Sequence, residues 1–232
     1  MVNYNVDITE VLIVVGTVQL EGELSVVEES GGLVLITNGS DSSRFSPRCQ
    51  FICEQLNQAG LSTLMFNLLT LPEEEIDLQT QRLRYRIPLL ARRIVGAIDW
   101  VHEQPHLYHL PRGILAADTA AGGVLVAATQ RPELVDAIVC RGGWPELAGD
   151  ALPFVEAPTL MIVGAYDASA LSANEEAIRQ MRAKTVIDII PNASHLFEEP
   201  NTLEEMASCA ADWFCSHLKS HQSDNVVEEM IS

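Results

Sequence analysis

Apolar runs and polar breaks alternate along this chain, first at strand spacing and then at strand and helix spacing in turn. Ile8 to Val18 and Leu20 to Val27 are rich in Val, Ile and Leu and are separated by a short polar break. That pattern predicts a β-hairpin or meander. Gly31-Gly32 marks a turn, and Leu33 to Thr37 (LVLIT) is a short continuous apolar run, as expected of a strand buried on both faces. Arg48 to Ala59 then predicts a helix stopped by Gly60, and Leu61 to Leu69 a strand. The acidic run of Glu73, Glu74, Glu75 and Asp77 predicts a solvated loop and the opening of a helix, where negative charge suits the dipole. Leu83, Ile87, Leu90, Ile94, Ile98 and Val101 recur at helical steps and form one apolar stripe, which Pro88 is expected to kink. Gly113 to Asp118, Val135 to Cys140, Thr159 to Val163 and Thr185 to Ile190 predict further strands. Thr119 to Gln130, Asn174 to Arg182 and Thr202 to Leu218 predict helices.

Strands that alternate with helices imply βαβ units and a mostly parallel sheet with helices on both faces. The expectation is a single α/β domain over residues 1–218, followed by a polar and flexible tail over 219–232. Apolar residues at 47% and charged residues at 20% of 232 suit a packed globular chain and argue against disorder or coiled coil.

Charge narrows the partners. Lys plus Arg number 14 against 32 for Asp plus Glu, a formal net charge of −18. Such a surface repels phosphate backbones and anionic bilayers, so neither nucleic acid nor a membrane is an expected partner. The N-terminus has no basic segment followed by an apolar one, and no apolar run reaches the roughly 18–20 residues of a membrane span. Five cysteines, an odd number with no C-x-x-C pair, predict reduced thiols and a cytoplasmic location. His102, His106 and His109 cluster around Pro105, and His217 and His221 are spaced for one helix face, but neither set matches a zinc-site spacing. No metal and no organic cofactor is expected.

In parallel sheets the working groups gather at the carboxyl ends of the strands. Those ends here are Thr37-Asn38-Gly39-Ser40, then Asp118, then Asp167, then His195. The order of a strand-to-helix elbow residue, an acid and a histidine is the order of the α/β-hydrolase triad. The elbow reads Ala116-Ala117-Asp118-Thr119-Ala120. Its small flanking residues give the steric freedom that a G-x-S-x-G turn needs, but the centre holds aspartate instead of serine or cysteine.

Five tracts extend the likeness: SSRFSPR (Ser42 to Arg48), EEEIDLQTQRLRYRI (Glu73 to Ile87), RGGWPELAG (Arg141 to Gly149), APTLMIVGAYD (Ala157 to Asp167) and PNASHLFEEP (Pro191 to Pro200). On these the chain resembles the stand-alone dienelactone-hydrolase-like proteins of the α/β-hydrolase superfamily, from about Val6 to about Leu218. The resemblance implies an α/β-hydrolase fold, with Asp167 as the acid and His195 as the base. Relatives typically carry an H-G-S-G-S-S-R loop and a G-A-S-T-G elbow. Here the loop is Asn38 to Arg44, and the elbow has lost its serine and both glycines. Ser40 and Thr119 are the candidate oxyanion donors through their backbone N–H groups. Arg44, Arg141 and Trp144 are candidate substrate-binding residues. Arg44 and Arg48 are candidates for gripping a substrate carboxylate in bidentate fashion.

The departure from the family pattern sits where acyl transfer would occur. A serine attacks only when histidine removes its proton, whereas Asp118 has no such proton near neutral pH. Two carboxylates around one imidazole favour its charged form, which is a poor base. The expectation is a degenerate triad, with ester or lactone hydrolysis lost or very weak. The role would then be to bind a small molecule or a protein partner. The alternative is an active hydrolase of a small ester, lactone or halo-compound, with Asp118 as covalent nucleophile. Haloalkane dehalogenases and epoxide hydrolases share this fold and place aspartate at the elbow. They also insert a helical cap, whereas only Arg141 to Pro158 separates the two strands here, so no cap domain is expected. The sequence does not reveal the oligomeric state.

Overall fold

The structure is a computed structural model that describes residues 4–37 and 45–218. β1 (Val6–Val15) and β2 (Val18–Val27) form a hairpin in unbroken register from Val6↔Val27 to Val15↔Val18. The remaining strands are β3 (Leu33–Thr37), β4 (Ser62–Phe66), β5 (Arg112–Ala117), β6 (Ala137–Arg141), β7 (Thr159–Gly164) and β8 (Thr185–Ile190). Among the described residues they make one eight-stranded sheet in the order β1-β2-β4-β3-β5-β6-β7-β8. β1, β2 and β4 pair antiparallel, and every later pair is parallel. This is the α/β-hydrolase arrangement, and the expected fold class holds.

The helices are α1 (Pro47–Gln58), α2 (Leu71–Thr80), α3 (Ile87–Glu103), α4 (Ala120–Gln130), α5 (Ala168–Gln180) and α6 (Thr202–His217). A continuous apolar strand serves two cores because successive side chains point to opposite faces. Thus Leu33, Leu35 and Ile114 join Leu90, Ile94 and Val124 in one layer, against α3 and α4. Val34, Ile36 and Leu115 join Ile52, Leu56 and Phe214 in the other, against α1 and α6. Each such fully buried side chain contributes about 1.5–3 kcal/mol of transfer free energy. That is why the inner strands read as uninterrupted runs rather than as alternation.

Three local expectations need correction. Pro88 does not kink α3; it stands in its first turn, where a missing N–H costs nothing. Leu83 therefore lies before the helix. The acidic run is not simply solvated. Asp77 is 1% exposed; its Oδ1 accepts the backbone N–H groups of Leu83 (2.7 Å) and Arg84 (3.1 Å), and its Oδ2 accepts Arg84 Nε (2.7 Å). Glu73 Oε1 accepts from the buried Arg93 at 2.8 Å and Oε2 from the Thr70 N–H at 2.9 Å. Helix α5 begins at Ala168, six residues before the predicted Asn174, because the Asp167 carboxylate caps it. The β6–β7 connection holds a run of 3-10 turns, Pro145–Phe154, bent at Gly149, and no separate cap domain. Among the described residues no helix is long and apolar enough to cross a membrane. The 219–232 tail, with His221, lies outside the described residues.

Candidate functional site

Because β3 and β5 to β8 run parallel, their carboxyl ends share one edge of the sheet. Asp118 follows β5 directly and turns the chain into α4 with φ +52. Aspartate tolerates this left-handed conformation better than most residues. Ala116, Ala117, Ala120 and Ala121 are fully buried around it, so the turn can be tight. The Asp118 carbonyl accepts two backbone N–H groups, from Ala121 at 3.2 Å and from Trp144 at 3.1 Å.

His195 reaches the same place from the turn after β8. Two glycines make room for it. A β-carbon on Gly164 would lie 2.4 Å from the Ala193 carbonyl oxygen and 2.5 Å from that of Ser194. Gly142, at φ +51, would put one 3.3 Å from His195 Cε1. Ser194 fastens the turn by donating its N–H (2.9 Å) and hydroxyl (3.1 Å) to Glu199 Oε2.

The imidazole lies between two carboxylates. His195 Nε2 is 2.9 Å from Asp118 Oδ1, and Nδ1 is 2.6 Å from Asp167 Oδ2. Asp167 Oδ1 accepts the N–H of Ala170 at 3.1 Å and the Ser169 hydroxyl at 3.4 Å. One residue thus caps α5 and also orients the ring. Ionised carboxylates only accept, so serving both requires a hydrogen on each ring nitrogen, which is the imidazolium. The His195 pKa is accordingly pushed up, first by its hydrogen bond to Asp118, against partial burial, and then by Asp167.

Arg141, at the end of β6, is 2% exposed and sits in register beside Ala117. Burial pushes its guanidinium pKa down, while the nearby Asp118 charge pushes it up and Arg48 works against it. Its Nε has no hydrogen-bond partner, and its guanidinium carbon is 5.9 Å from the centre of the Phe197 ring. Among the described residues Arg141 has no ion-pair partner, and a buried cation of that kind is costly; the Asp118 charge offsets part of that cost. Thr119 is buried at the start of α4, and its hydroxyl also lacks a partner. Trp144 is 41% exposed and lines a cavity of about 500 Å³ beside His195.

Of the other residues singled out by sequence, Arg48 turns to Glu198 at 3.4 Å, and His102 Nδ1 lies 3.3 Å from Arg112 Nη2. Ser40 and Arg44 lie outside the described residues. Cys140 is fully buried and its thiol is pushed up to about 12 by burial, so it supplies no thiolate beside the elbow. None of the five cysteines is in a disulfide. Among the described residues no cluster of three His, Cys, Asp or Glu side chains is placed to hold a metal. Sequence reasoning missed the Gly142 and Gly164 contacts and the cavity-lining Glu146. The Gly-Gly pair before Trp144 was the available signal for the first of these.

No family model matches the chain. Among solved structures, the dienelactone hydrolase from Anabaena variabilis is similar at 49% identity and a TM-score of 0.90, over 92% of this chain and 99% of that one. The chain belongs to the dienelactone-hydrolase-like family of α/β-hydrolases. A dienelactone hydrolase-like promiscuous phosphotriesterase from metagenomic libraries shares the fold at 16% identity and a TM-score of 0.75, over 92% of this chain and 99% of that one. Two proteins from strains of Mycobacterium tuberculosis, provisionally named phosphoribosyl transferases, are 45% identical over 209 residues. That match takes in 90% of this chain but 46% of each relative, so this dienelactone-hydrolase-like chain spans about half their length.

Proposed function

We propose that this dienelactone-hydrolase-like protein binds a small molecule at the Asp118–His195–Asp167 cluster and hydrolyses esters and lactones very weakly or not at all. The carrying observation is the imidazole hydrogen-bonded to a carboxylate at each nitrogen, 2.9 and 2.6 Å away. On this reading Asp118 stands where the family's nucleophile stands and Asp167 is the acid. Thr119 supplies a backbone N–H beside the elbow, and Arg141 neutralises Asp118 from below the surface. A charged His195 cannot take a proton from an attacking group. Loss of a serine nucleophile costs about 10⁶ in rate where it has been measured. The triad is degenerate in this sense, and residues 1–218 act as one binding domain. Five cysteines without a disulfide suit a reducing, cytoplasmic setting. This reading takes nothing from the phosphoribosyl transfer in the mycobacterial relatives' name, since the match covers 46% of each of them.

A second reading has one observation behind it. Only Oδ1 of Asp118 is hydrogen-bonded among the described residues, and the side chain is 24% exposed. Asp118 Oδ2 would attack an electrophilic carbon, the leaving group would depart with its electron pair, and His195 would activate water to cleave the resulting ester. The charged state of His195 weighs against the last step.

Esters, lactones and haloalkanoates tested against wild type, Asp118→Ala and Asp118→Ser decide between the two. The expected outcome is near-background turnover by wild type and a gain of labelling by a serine-directed phosphonate in Asp118→Ser. Robust wild-type turnover that vanishes in Asp118→Ala would sink the non-hydrolytic reading. Incorporation of ¹⁸O from labelled water into Asp118 would establish the covalent one.

A further inference from the structure

Among the described residues, the wall of the cavity beside His195 offers one uncommitted carboxylate, that of Glu146. Its wall includes Trp144, Glu146, Asp167, Ser169, Ala170 and His195, and among the described residues no Lys or Arg lines it. Several of the wall's polar groups are engaged with one another. The Ser169 hydroxyl and the Ala170 N–H point to Asp167 Oδ1, and both ring nitrogens of His195 face carboxylates. Behind the wall Asn174 is fully buried. Its amide hydrogens go to the carbonyls of Gly143 (3.0 Å) and Ala170 (2.7 Å), which leaves Oδ1 a buried acceptor with no partner. The Glu146 carboxylate is exposed and makes no ion pair among the described residues. Arg141, the other cation of the cluster, is not part of the wall.

A cavity with an uncommitted carboxylate and an indole at its margin complements a ligand that brings positive charge. The ring face attracts a cation through its quadrupole, and the net charge of −18 concentrates cations at the surface. A volume of about 500 Å³ lies within the usual range for a small-molecule site. We propose that this cavity takes the ammonium-bearing part of a small molecule, with Trp144 as its ring contact and Glu146 as its counter-charge. The inference rests on the small-molecule reading above and adds to it the charge class of the ligand.

Three probes of nearly one shape test it: choline, its uncharged carbon isostere 3,3-dimethylbutanol, and the anion 3,3-dimethylbutanoate. Binding to the full chain is read from tryptophan fluorescence and from NMR shifts of the Trp144 indole and the His195 ring, with no need for turnover. Choline is expected to bind about tenfold tighter than the alcohol, with the anion weakest. Trp144→Leu and Glu146→Gln are both exposed substitutions that spare the fold. Each is expected to weaken choline about 3- to 10-fold, and Glu146→Gln should leave the alcohol unchanged. Equal binding of choline and the alcohol, or a preference for the anion, overturns the charge class while the small-molecule reading stands. Failure of all three to bind at millimolar concentration also overturns it, and the substrate panel then judges the small-molecule reading separately.

Discussion

His195 has a carboxylate at each ring nitrogen, and that fixes the direction of its titration. The ring is expected to titrate above the about 6.5 of a free imidazole, followed by NMR of its ring protons. Asp118→Asn keeps the shape and the tolerance of positive φ but removes one charge, so the titration should move down. The stability consequence has a definite sign. A histidine whose folded pKa is raised contributes stability that is fully present below about pH 6.5 and is lost as pH rises through the folded value. Wild type should therefore melt above Asp118→Asn at pH 6, with the gap closing on the alkaline side. An unchanged titration in the variant would contradict the ion-pair account. At this scale the sequence disclosed Asp118, Asp167 and His195, because chain order and strand ends place them. It did not disclose the near-complete burial of Arg141, nor that Asp167 serves both the ring and α5. Burial and shared hydrogen bonds arise from three-dimensional contacts that spacing does not encode.

Elements meet here through close approaches as much as through side-chain packing. The turn carrying His195 lies against the end of β7 because Gly164 has no β-carbon to meet the Ala193 and Ser194 carbonyls. Gly164→Ala is expected to destabilise by about 1–3 kcal/mol and to loosen the 2.6 Å contact of His195 with Asp167. Thermal melting and the downfield imidazole proton would report the two effects. A stable variant with an unaltered histidine signal would show that the turn tolerates displacement. Helix boundaries were the least legible feature. The apolar stripe through Leu83 runs past the true start of α3, because periodicity records burial and not where the hydrogen-bond ladder begins. The acidic run of α2 read as solvated for a related reason. Its partners, Arg84 and Arg93, lie outside the run and meet it only after folding.

Over the whole molecule the excess of acid matters more than any one ion pair. A net charge of −18 repels itself in the compact state. Raising salt from a few millimolar to physiological strength shortens the Debye length to about 8 Å, so calorimetry should find a higher Tm with added sodium chloride. A Tm that falls would mean that favourable pairs such as Arg131–Asp99 outweigh the repulsion. The mostly parallel sheet and its two helical layers were readable at this scale, though not the strand order, because uninterrupted apolar strands alternating with amphipathic helices admit few topologies. The half of the mycobacterial relatives beyond the matched region was not readable, since nothing within these residues points to it.

One feature of the elbow bears on how such a site changes over time. The main chain at Asp118 is fastened by its own carbonyl, which holds the amides of Ala121 and Trp144, and not by its carboxylate. The side chain can therefore be exchanged while the scaffold beneath it stays put. On the function proposed above, position 118 works as a socket. Ancestral and descendant chemistries would differ by what is plugged in, and a lineage could cross from catalyst to receptor, or back, without rebuilding its sheet.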